Sequence, residues 1–122
     1  MTNVITVTQD NFEEEVLASD LPVIVDYFAD WCGPCRRLGP VIEEIAAERA
    51  GSVKVAKVNV DEQPALAARA GVQSIPFVVL YRDGAPAARS LGSLPKRGLE
   101  EALELEAPIA ETTPTPQRLP AT

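Results

Sequence analysis

Cys32 and Cys35 are the only two cysteines in 122 residues, and they enclose Gly33 and Pro34. The pair follows an apolar, β-branched run, Pro22 to Phe28, and precedes a segment with helical spacing, so Cys32 is expected at a helix start. Backbone N–H groups there lack intrahelical partners and favour a negative charge, so a Cys32 thiolate is stabilised. Cys35, one turn further in, is expected to be the more shielded of the two. Residues three apart on a helix have Cβ atoms about 5–6 Å apart, and a disulfide wants them about 3.5–4.5 Å apart. The bridge can therefore close with a small adjustment and open again, which is the chemistry of thiol–disulfide exchange. Two other uses stay open: a structural staple, although so short a loop constrains the unfolded chain little, and a metal half-site completed by a second chain. Pro34 limits how far the helix start can relax and so helps set the redox poise.

The elements that must position this pair alternate in type. Val4 to Val7 is short and β-branched, an edge strand. Asp10 with Glu13 has the spacing of a capping pair, ahead of a helical stripe of Phe12, Val16 and Leu17. Pro22 to Phe28 is a buried strand. Residues 34–50 carry Leu38, Val41, Ile42, Ile45 and Ala46 at helical spacing, with Pro40 as a kink point. Val53 to Val60 is a strand. Asp61 is placed to cap a short helix that Gly71 stops after Ala70. Phe77 to Tyr81 and Ala87 to Leu91 form a hairpin around Arg82-Asp83-Gly84. Pro95 opens a last helix with Leu99, Ala102 and Leu103 inward and Glu100, Glu101 and Glu104 toward water. The order β-α-β-α-β-α-β-β-α predicts an α/β fold, a central mixed sheet of about five strands flanked by about four helices on both faces.

Composition narrows the function. With 18 acidic and 11 basic residues the net charge is −7, which argues against nucleic acid as a partner. The absence of histidine removes Ser-His, Cys-His and His-metal chemistry, and two cysteines alone do not make a four-ligand zinc site. The N-terminus has no signal-peptide pattern and the longest apolar run, Ile75 to Tyr81, is too short to span a membrane. The expected location is the cytoplasm, where thiols stay reduced and a cysteine pair is more often catalytic than structural. Residues 1–107 are expected to form one domain. The Pro/Thr-rich stretch 108–122 has almost no core-forming residues and is expected to be a disordered tail, with a docking segment as the alternative.

Ala29-Asp30-Trp31-Cys32-Gly33-Pro34-Cys35-Arg36 resembles the active site of bacterial-type thioredoxins. The similarity continues in Phe12, Val25-Asp26, Pro40, the run Val55 to Asp61, Gly71-Val72, Ile75-Pro76, Gly84 and Gly92, and it covers residues 3–107 in register. It implies the thioredoxin fold and a protein-disulfide reductase working through Cys32 and Cys35. The implied partners are disulfide-containing proteins and a flavin- and NADPH-dependent thioredoxin reductase. No cofactor or metal is implied for the chain itself, and a monomer is expected.

The supporting residues each carry two readings. Asp26 lies within Val23 to Phe28, where desolvation raises a carboxylate pKa. The resemblance makes it the proton acceptor of Cys35, through a water; the alternative is an exposed strand acid. Lys57 corresponds to a lysine close to that aspartate in the family, or is a snorkelling surface lysine. The resemblance implies a cis Ile75–Pro76 bond that faces the dithiol, offers the Ile75 backbone to an extended substrate and keeps metal ions off the thiols. Trp31 becomes a partly exposed lid in place of a core residue. Gly92 either leaves room for a substrate backbone or simply ends a strand. The substrate-contacting set is then Trp31, Gly33, Pro34, Ile75, Pro76 and Gly92. Phe28 stands where the family usually has a second tryptophan, and Phe77 where threonine is common, so partner preference is not carried over. Two further classes stay open: a redox-inert binding module, and a metal or iron–sulfur protein bridging two chains.

Overall fold

A computed structural model of the chain describes residues 3–105. The expected domain end at 107 and the Pro/Thr-rich stretch 108–122 lie outside the described residues. Five strands form one sheet in the order β1-β3-β2-β4-β5: β1 (Val4–Thr6), β2 (Val23–Phe28), β3 (Lys54–Asn59), β4 (Phe77–Arg82) and β5 (Ala85–Leu91). β3 lies parallel to both β1 and β2; β4 runs antiparallel to β2 and β5. The sheet is mixed, as the alternation of patterns predicts.

The most apolar segments take the centre. In β2 and β4 five of six residues are buried, because helices cover both faces. Side chains alternate along β2. Val23, Val25 and Tyr27 pack with Phe12, Val16 and Leu66 on one face. Ile24 faces the other way, onto Leu38, Ile42 and Ile45 of α1 (Gly33–Glu48) and Leu99 of α3 (Lys96–Ala102). Asp26, two residues on from Ile24, shares the α1 face. β5 is an edge strand with Pro86, and its register against β4 shifts between Leu80 and Tyr81. The hairpin turn has Asp83 at φ 52° and Gly84 at φ 81°, the left-handed pair that an Asp-Gly turn supplies.

The helices match expectation in position and differ at their ends. The first is a π-helical segment, Glu13–Leu17, entered without a side-chain cap. Asp10 and Glu13 do not pair as a cap. Instead Thr8 and Asn11 close a box two residues earlier: the Thr8 N–H donates to Asn11 Oδ1 at 2.7 Å, and the Asp10 N–H to Thr8 Oγ1 at 3.2 Å. Asn11 sits at the same spacing from Thr8 that Glu13 has from Asp10, and the chain begins to turn at Thr8, where the Phe12 N–H reaches the Thr8 carbonyl. α1 runs unbroken through Pro40. α2 (Pro64–Ala70) begins after Gln63 with no side-chain cap, so Asp61 is not its cap, and it ends at Gly71 with φ 77°. Leu99 of α3 and Leu103, the residue that caps its C-terminus, are fully buried, and Ala102 is half-buried. Glu100 is only partly exposed: it accepts from the buried Arg49 at 3.2 Å, tying the end of α1 to α3.

Candidate active site

The site is built where β2 hands over to α1. After Phe28 the chain turns through Ala29, Asp30 and Trp31, and Cys32 becomes the N-cap of α1 with φ −88° and ψ 110°. A cap residue accepts from N–H groups of the first turn; here Cys32 Sγ accepts from the Cys35 N–H at 3.1 Å. Pro34 fits the first turn because its missing N–H would have had no helical partner. A side chain built at Gly33 would meet only the guanidinium tips of Arg36 and Arg37, at 3.9 Å, so packing does not require glycine there. Cys32 and Cys35 are joined as a disulfide with their Cα atoms 5.2 Å apart.

Cys32 and Cys35 are both buried, 3% and 5% exposed, a difference too small to rank the two. Ala29, Val60 and Ile75 pack with the pair. Helix position alone does not reveal these contacts.

Asp26 is fully buried, and neither of its carboxylate oxygens has a hydrogen-bond partner among the described residues. Desolvation raises its pKa from 3.8 to about 6, and the positive charge of Lys57 holds it from going higher. The two residues are register partners on adjacent strands. Lys57 also lies over the Phe28 ring, 4.4 Å from its centroid. It therefore meets both readings: its ammonium covers an apolar ring, and its charge is felt by the buried acid.

The Ile75–Pro76 bond is cis. Ile75 packs against the cysteine pair, and among the described residues neither its N–H nor its carbonyl has a hydrogen-bond partner. The Pro76 carbonyl accepts from the Gly92 N–H at 3.0 Å. Gly92 has φ 84° with open space where a Cβ would stand, so glycine is required by the backbone and also leaves that rim clear.

Trp31 is 69% exposed, outside the core. Its Nε1–H donates to Asp61 Oδ2 at 2.8 Å, and the Asp61 N–H is held in turn by Asn59 Oδ1 at 2.9 Å. Asp61 is the site residue that the sequence hides, since it lies 30 positions from Trp31 and its spacing suggests a helix cap. A groove of about 440 Å³ runs from Trp31 past Val60 and Val72 to Ser74 and Ile75. The groove and the disulfide share Ile75 as a wall.

The thioredoxin family model matches residues 3–105. The chain is similar to thioredoxin 1 of a Nostoc species, 46% identical over 98 residues, which cover 80% of this chain and 92% of that one. It is also similar to the thioredoxin of Rickettsia bellii, 48% identical over 95 residues, 78% and 90% of the two chains. The thioredoxin of Haemophilus influenzae is 43% identical over 99 residues, 81% and 92%. With a closed Cys-Gly-Pro-Cys bridge at the start of α1 and these matches over nearly the whole described chain, the protein belongs to the thioredoxin family and is a thiol–disulfide oxidoreductase.

Proposed function

We propose that the protein is a general reductant of disulfides in partner proteins, recycled by an NADPH-dependent thioredoxin reductase. In the reduced form the Cys32 thiolate attacks one sulfur of a partner disulfide. A mixed disulfide forms and the other partner sulfur leaves as a thiolate. Cys35, giving up its proton, attacks Cys32 Sγ; the intramolecular bridge forms and the second partner sulfur leaves. Two electrons pass from the dithiol to the partner, and the reductase restores them from NADPH. The carrying observation is the Cys35 N–H aimed at Cys32 Sγ, a donor placed to stabilise the thiolate that Cys32 carries before it attacks.

Asp26 is the base for the second step. A pKa near 6 lets it be ionised at neutral pH and still accept a proton, and Lys57 tunes it. The extended partner segment lies against Trp31, Gly33 and Pro34, pairs with the free Ile75 backbone beside Pro76, and passes the open rim at Gly92. No helix among the described residues is long and apolar enough to cross a membrane. The setting that fits reducing chemistry is the cytoplasm, with the protein acting as a monomer and carrying no cofactor of its own.

The test is turnover of a protein disulfide with NADPH and a thioredoxin reductase, together with two variants. Cys35→Ser should accumulate a covalent mixed disulfide with the partner, and Cys32→Ser should form none. Parent-like reduction by both variants refutes the mechanism. A parent that the reductase does not reduce refutes the recycling route alone.

A further inference from the structure

Two cations beside the cysteine pair have no part in the sulfur exchange. Arg36 and Arg37 follow Cys35 along α1 and are exposed. Helix side chains lean toward the N-terminus, so residues three and four positions along reach back over the first turn. That turn begins with Gly33, the neighbour of Cys32. Arg36 Nη2 and Arg37 Nη1 each come within 3.9 Å of the point where a Gly33 Cβ would stand. Gly33 has no side chain, so a partner segment that covers it meets both guanidinium tips. Arg36 is held in this pose: its Nη1 donates to the Asp30 carbonyl at 2.6 Å, which leaves Nη2 of the same plane turned to Gly33. A rigid fork anchored at one nitrogen loses little further freedom when the other binds.

No carboxylate of the chain neutralises the two tips. Among the described residues neither arginine is in an ion pair, and Arg37 has no hydrogen bond either. Asp61, the acid at the site, is engaged by the Trp31 indole at 2.8 Å. The net charge of −7 draws basic partners from a distance. The arginine pair does the opposite at contact range, and at physiological salt charges more than about 8 Å apart are largely screened. Guanidinium groups match carboxylates in shape and charge.

We propose that Arg36 and Arg37 determine specificity: they select partner disulfides whose cysteines are flanked by Asp or Glu, by receiving a flanking carboxylate over Gly33 while Cys32 attacks. This rests on the reductant reading above and names the substrate class that the same site prefers. The carboxylate only binds, and the sulfur exchange is the one already given.

The test uses the reduced full-length protein and three cyclic peptides, each closed by one disulfide and differing only in whether Glu, Gln or Lys flanks both cysteines. Single-turnover rates are read by chromatography after acid quenching, and each is divided by the rate of the same peptide with dithiothreitol to remove intrinsic reactivity. At about 0.15 M salt the rates should fall in the order Glu, Gln, Lys, with the Glu peptide about tenfold faster than the Lys peptide. At about 1 M salt the ratio should shrink to about twofold. The double variant Arg36→Gln, Arg37→Gln should bring it to about twofold or less, and Arg36→Glu, Arg37→Glu should invert the order. Both arginines are exposed, so the fold is not at stake. Each ratio is taken within one protein, so any change in Cys32 reactivity cancels. The proposal is overturned if the three peptides react alike or in reverse order, or if the glutamine variant keeps the parent's ratio. Reduction of all three without a charge order sinks this proposal alone; reduction of none sinks the reductant reading and this proposal with it.

Discussion

Replacing Asp26 by asparagine should stabilise the fold at neutral pH, by an amount set by its burial. Its carboxylate is fully buried and has no hydrogen-bond partner among the described residues. Desolvation, offset in part by Lys57, raises its pKa from 3.8 to about 6. The folded state therefore holds this proton more tightly than the unfolded chain does, and ionising Asp26 costs stability. Below pH 3.8 both states are protonated and the cost is absent. It grows as the pH rises toward about 6 and is constant above that. A difference of about 2 units, at about 1.4 kcal/mol each, makes the cost about 3 kcal/mol at pH 7. A carboxamide has nearly the shape of the protonated acid and carries no charge, so Asp26→Asn should gain about 3 kcal/mol at pH 7 and nothing at about pH 3.5. Urea unfolding of the oxidised parent and variant at both pH values measures this from the midpoints, provided the slopes agree. A gain of equal size at both pH values, or a variant less stable at pH 7, refutes the assignment of a strained, buried carboxylate.

The other predictions concern the residues around it. Lys57→Met removes the charge that lowers the Asp26 pKa, so the Asp26 carboxyl, followed by carbon NMR, should titrate above about 6; an unchanged midpoint removes Lys57 from the pair. Asp61→Ala frees the Trp31 indole and should raise KM for a protein disulfide several-fold, while stability changes by less than about 1 kcal/mol because the pair is exposed. Equal KM values in parent and variant deny Trp31 a positioning role. Glu100→Gln leaves the Arg49 guanidinium, 7% exposed, without its carboxylate. It should cost about 1–3 kcal/mol in urea unfolding, the low end reflecting the partial exposure of Glu100; no change would mean that the tie between α1 and α3 contributes nothing.

Where one element decides the outcome, the sequence is informative. The β-branched run around Ile24 and Val25 fixes a central strand, Asp83-Gly84 a tight hairpin, and Gly71 a helix stop, because each follows from local backbone preference or from alternation. Cys32, Pro34 and Cys35 are legible for the same reason: a strand end, a cap and a first turn are neighbours in sequence. What stayed hidden depends on packing between distant segments. Asp61 has the look of a cap and instead holds an indole 30 residues away. Glu100 belongs to the outer stripe of α3 until Arg49 is seen beside it. Part of the cover over the cysteine pair comes from Val60 and Ile75, on two separate loops.

The most direct test of a Cys32 thiolate held by the start of α1 is the pH dependence of its alkylation in the reduced, folded protein. Iodoacetamide should modify Cys32 before Cys35, with the half-maximal rate reached at a pH clearly below about 8.5, where a free thiol titrates. A midpoint at that free-cysteine value, or a Cys32 that does not react until the protein unfolds, contradicts it.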